Sequence, residues 1–151
     1  MSGLLVETGL RWSQSLNVAD SVARGALQRG MSVIVPWVLS DALFHYAGTA
    51  AAGSARAGDR ALLIVPVMAR ARALGVLALA DRCGRVFGDG DLAVAERLAR
   101  RARRAFDQVD PADRHSTIVR DGLVALAGQS VALYALTADG KRLVMVAGCH
   151  A

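Results

Sequence analysis

Four residues in one short span, Trp37, Phe44, His45 and Tyr46, gather aromatic surface and polar tips in a chain with only 5% aromatic residues. That mixture suits a ligand pocket, where apolar walls bury a small molecule and a few polar groups orient it. His45 could also act as an axial ligand to haem iron. A plainer reading, favoured here, makes Trp37 and Phe44 core residues and His45 and Tyr46 half-exposed positions. The other reactive types are scattered. None of His45, His115 and His150 sits in a recognisable catalytic motif, and no Cys-x-x-Cys or His-Glu-x-x-His spacing is present to hold a metal. Catalysis needs a nucleophile, a base and an orienting partner in place. With no such set in view, a binding role is expected rather than an enzyme, with no catalytic residue, and the sequence names no cofactor.

The chain must be able to position these groups, and its 151 residues suffice for one core. The hydrophobic fraction is 54%, mostly Ala, Val and Leu, so the core is aliphatic. The longest apolar run, Ala61 to Ala69, includes Pro66 and falls well short of the ~18 residues of a membrane span. No secretory leader is evident, so a cytoplasmic location is expected. Cys83 and Cys149 are too few for a disulfide framework. The net charge of +5 invites a nucleic-acid reading. Yet Lys141 is the only lysine, and arginine bias beside heavy Ala and Gly use is what a GC-rich genome produces. Nucleic acid is therefore not expected as a partner.

Pattern and punctuation predict the elements. Leu4 to Glu7 reads as a short strand, and Ala19 to Arg29 as a helix capped by Asp20 or Ser21 and closed by Gly30. Met31 to Val38 reads as a strand ending at Pro36. A short helix over 39–45 and a Gly-rich loop over 47–60 follow. Ala61–Met68 and Ala73–Ala80 fit a buried hairpin, with Gly75 marking a bulge or a close backbone approach. Asp89 or Asp91 can cap a helix to about Gln108, whose apolar stripe runs from Leu92 through Ala95, Leu98, Ala99, Ala102 and Ala105 to Phe106. Asp110-Pro111-Ala112-Asp113 breaks it. A second helix over Thr117–Ala127 leads to strands Val131–Leu136 and Arg142–Ala147, joined at Asp139-Gly140. Leu4 to Leu10 also resembles Leu143 to Cys149, one domain length apart.

The segments LLIVPVMARARALGVLALA and GRVFGDGDLAVAERLARRARRAF resemble the C-terminal half of GAF domains of bacterial signalling proteins. Val65-Pro66, Arg70 and Arg72, Gly75-Val76-Leu77, Phe87 and Asp91 carry the likeness, and ARGALQRGMSVIVPWV resembles the family's earlier helix and strand. The resemblance implies an α/β (α+β) fold with a PAS-like central antiparallel sheet flanked by helices. It places a truncated domain at 1–109, a linker at 110–116, and the opening helix and hairpin of a second copy at 117–151. Those last elements are expected to fold back into the first copy, where Arg142–Ala147 would compete with Leu4–Glu7, or to swap between chains.

The implied role is a sensory or regulatory module, with a small ligand between the sheet and the Trp37–Ala50 segment. Its parent would carry an effector such as a histidine kinase, phosphatase or transcription factor. The resemblance further implies a homodimer contact through the closing helix, whose Ala-rich stripe would meet a second chain. Family members that bind cyclic nucleotides show an Asn-Lys…Phe-x-x-x-Asp-Glu pattern. Here Asp81-Arg82 and Leu92 replace three of those residues, which argues against that ligand. Two alternatives stand beside the sensor reading. One is a structural dimerisation module without a ligand. The other is a GAF-fold methionine sulfoxide reductase using Cys83, which would lack a nearby resolving cysteine.

Overall fold

The computed structural model describes residues 14–38, 60–82, 84–107, 112–128 and 130–150. The strands are β1 (Ser15–Asn17), β2 (Val33–Val38), β3 (Arg60–Ala69), β4 (Arg72–Arg82), β5 (Ser130–Leu136) and β6 (Arg142–His150). They form one antiparallel sheet in the order β1-β6-β5-β4-β3-β2. The helices are α1 (Arg24–Arg29), α2 (Asp89–Phe106) and α3 (Ala112–Leu126). The fold is thus α+β, as the resemblance implied.

The sheet has an apolar core on each side, because its central strands alternate between two buried faces. One face sets Leu62, Ile64, Val76, Ala78, Ala80, Ala132 and Tyr134 beneath α1. The other sets Leu63, Val65, Leu77, Leu79, Val131 and Leu133 beneath α2 and α3. Strands buried on both faces read as near-continuous apolar runs, which is why LLIVPV and GVLALA are visible in the sequence.

The β3–β4 hairpin follows its prediction with a tighter turn, Arg70-Ala71, in which Arg70 takes a left-handed φ of 58°. Gly75 serves both expected purposes. The register slips beside it, between Val67 and Met68. A Cβ on Gly75 would lie 1.9 Å from the Tyr134 carbonyl oxygen. Pro66 is tolerated because the last rung from β3 to β2 is Ile64–Val33, so beyond it a missing N–H breaks no described ladder bond on that side.

Three expectations need correction. The helix over 19–29 is broken: Val18–Asp20 is a 3-10 turn, Ser21 is extended (φ −101°, ψ 155°), and α1 begins only at Arg24. Local polar bonds compete with the helix there, since the Asn17 side chain accepts from the Ala19 N–H and the Ser21 hydroxyl donates to the Val18 carbonyl. Ala23, rather than Asp20 or Ser21, is the N-cap, while Gly30 ends the helix in the left-handed conformation as expected. Second, β2 runs through Pro36 to Val38. Among the described strands it lies at the sheet edge, with a register shift between Val35 and Val38, where proline removes no described ladder bond. Third, α3 starts at Ala112, directly after Pro111, so the residues read as a breaker also open the next helix. Most of the stretch expected as a 110–116 linker is therefore helical.

The C-terminal hairpin lies inside the sheet. β5 pairs with β4 from Gly75–Ala135 to Ala80–Ser130 and with β6 on its other side, and β6 carries β1. The strand expected at Leu4–Glu7, the helix over 39–45 and the loop over 47–60 lie largely or wholly outside the described residues.

Candidate functional site

Of the residues singled out for ligand binding, Trp37 lies in β2, the strand whose Val33 and Val35 pack on the core beneath α1. Phe44, His45 and Tyr46 lie outside the described residues, as does Cys83. The described part of that face is therefore the sheet with the 3-10 turn and α1 over it. Tyr134 is fully buried at its centre, between its rung partners Val76 and Met145 and in one cluster with Leu62, Ile64, Ala78, Ala132 and Leu143. Burial pushes its hydroxyl well above the usual tyrosine range, so it stays protonated at any physiological pH. Only the 3-10 turn and the six-residue α1 cover this face among the described elements, against 18 and 15 residues in α2 and α3 on the other.

Phe87 and Asp91, two residues that carry the family likeness, join the end of β4 to the start of α2. The Arg85 guanidinium bridges Asp81 (2.6 Å) and Asp91 (3.1 Å) and lies 4.9 Å from the Phe87 ring centroid. The second carboxylate oxygen of Asp91 accepts from the Gly88 N–H at 3.0 Å. That is half of a capping box; Gly88, the N-cap, has no side chain to return the bond. Asp89 is the first helical residue rather than the cap. Asp81 and Asp91 are thus engaged within the chain, tying strand to helix.

On the far side of the sheet, Ala95, Leu98, Ala99, Ala102 and Ala105 of α2 are buried against this chain's own sheet and α3. The stripe expected to meet a second chain is covered. Small side chains there let the helix sit close to β3, leaving arginines as its outer surface.

His115, near the start of α3, is 3% exposed, and among the described residues its Nε2 has no hydrogen-bond partner. Its ring meets Phe106 of α2 edge-on, with centroids 5.0 Å apart. Burial lowers its pKa below the ordinary 6.5, favouring the neutral ring. The unfolded chain therefore takes up the proton first on acidification. The stabilising contribution is complete above pH ~6.5 and falls as pH drops from there toward the lowered folded-state value. Thermal melts between pH 7.5 and 5 should show a steeper loss for the native chain than for His115→Leu. Parallel losses would remove His115 as the cause.

Cys149 is half-buried, and its thiol donates weakly to the Val119 carbonyl at 3.7 Å. Burial raises its pKa, so it is held as an unreactive thiol. Among the described residues no three His, Cys, Asp or Glu side chains group to hold a metal, and no helix is long and apolar enough to cross a membrane.

These features define an α+β domain with one antiparallel sheet that carries a buried apolar core on each face and, among the described residues, two long helices on one of them. The GAF domain family model matches residues 1–106, and the chain belongs to the GAF domain family. Its members commonly serve sensory or regulatory roles. Comparison with curated proteins and with solved structures gave no match.

Proposed function

We propose that this chain is the sensory module of a bacterial signal-transduction protein. It binds a small molecule on the sheet face carrying Tyr134, with Trp37, Phe44, His45 and Tyr46 as the contacting residues. Membership of the GAF domain family, with its commonly sensory or regulatory roles, supports this reading, and the face beneath α1 gathers an apolar cluster around the fully buried Tyr134.

Native mass spectrometry and an absorbance spectrum of the freshly purified chain test the proposal. A bound species above the chain's 15.8 kDa is expected, released on unfolding and weakened at least fivefold by Trp37→Ala. A haem ligand would add a Soret band that His45→Ala abolishes. A bare mass that survives a ligand screen, together with concentration-dependent dimers in scattering, would replace this reading with the structural dimerisation module.

The same proposal extends to the C-terminal segment. We read residues 112–150 as the opening helix and hairpin of a GAF domain, seated in this sheet by the chain itself. The position of β5 between β4 and β6 supports that reading, because the matched region 1–106 ends before these strands.

A further inference from the structure

The sequence from Arg97 to Phe106 holds five arginines and no acidic residue. Helical spacing turns Arg101, Arg104 and Ala105 to one side of α2, and Arg114, Thr117 and Ile118 to one side of α3. The two sides meet around a cleft of about 360 Å³. Its apolar floor is Ala105 and Ile118, 2% and 3% exposed. Arg101 is held at the rim by Asp121 at 3.0 Å. Among the described residues, Arg104 and Arg114 have no ion-pair partner.

We propose that this cleft is an anion site for a small molecule bearing a chain of phosphates, separate from the ligand site on the opposite face of the sheet. Arg101 already has Asp121 as a counter-charge, but Arg104 and Arg114 line the same concavity without one among the described residues, and a bound polyanion supplies it. The planar fork of arginine matches phosphate oxygens two at a time, which a lone surface cation cannot do. The cleft's volume lies at the small end of ligand pockets, roughly 300–1,000 Å³. That favours a compact ligand over an acidic protein segment. Because the arginines face water, binding must weaken as salt rises.

Calorimetric titration of the full chain with inorganic tripolyphosphate, at low and at moderate salt, tests the proposal. Arg104→Gln/Arg114→Gln should weaken binding at least tenfold. Arg97→Gln/Arg120→Gln removes the same charge outside the cleft and should change it less than twofold. A parallel titration with adenosine triphosphate identifies the source: tighter binding points to a nucleotide, equal or weaker binding to a free oligophosphate. Equal losses in the two double variants would show a diffuse charge effect and overturn the site, as would no binding by the native chain. A poly-glutamate peptide that binds more tightly than tripolyphosphate and is lost with Arg104 and Arg114 would overturn the small-ligand assignment in favour of an acidic protein. Circular dichroism of every variant separates lost binding from lost fold. Failure here leaves the Tyr134-face ligand untouched, since Trp37→Ala reads that site alone.

Discussion

A chain ending at residue 111 is expected not to fold. The cut removes α3, β5 and β6, and with them Ile118, Val119, Leu126, Val131, Leu133, Tyr134 and Leu143, each no more than 3% exposed. Burying one large apolar side chain contributes roughly 1.5–3 kcal/mol. Losing all of these removes on the order of 10 kcal/mol or more, comparable to the roughly 5–15 kcal/mol that holds a whole domain together. The cut also strips the rungs from Gly75–Ala135 to Ala80–Ser130, leaving β4 with a bare apolar edge and an aggregation hazard. Circular dichroism and size exclusion of 1–111 should show an unfolded or aggregated chain. A monomer that melts cooperatively near the full chain's temperature would mean that α3 and the hairpin are an appended unit. It would also end the proposal that they complete the sheet.

Gly75→Ala should cost about 2–4 kcal/mol, a large effect for one methyl group. The new Cβ would stand 1.9 Å from the Tyr134 carbonyl oxygen, 3.0 Å from its carbon and 3.2 Å from the Ala135 Cα. All three are backbone atoms, so no side chain can rotate away. β4 and β5 would have to separate at a point where both are central strands and the adjacent Tyr134 is fully buried. Gly25→Ala is the matched control. It lies in α1 with nothing within 4 Å of the added carbon, and alanine there should stabilise by roughly 0.5–1 kcal/mol. Urea melts of both variants decide the point. Equal midpoints would show that β5 does not approach β4 this closely.

Much of the fold was legible because it is encoded in local pattern. The stripe of α2 repeats at helical spacing, the runs around Ala69–Arg72 have strand length, and Asp139-Gly140 marks its turn. The Asp139 carboxylate accepts from the Thr137 hydroxyl and the Lys141 N–H, bonds that also hold its pKa below the usual carboxylate range, and Gly140 takes a left-handed φ of 74°. The break at Ser21 was not legible, because Asn17 and Ser21 form bonds that helical periodicity does not report. The strap of Asp81, Arg85 and Asp91 was equally hidden: spacing does not show that one guanidinium reaches two carboxylates on different elements.

The sequence alone determined which residues are apolar and at what period, and so the existence of two hairpins and two amphipathic helices. Its family resemblance, through Phe87, Asp91 and the Val65-Pro66 strand, led to the right fold class. The tertiary structure decided what those surfaces meet. It turned the alanine stripe of α2 inward, seated β5 against β4 some fifty residues away in the chain, and drew Arg101, Arg104 and Arg114 around one cleft. The physical reason is the same in each case: burial removes apolar area from water whichever partner supplies the cover. A one-dimensional pattern names the face to be covered, and only the three-dimensional arrangement names what covers it.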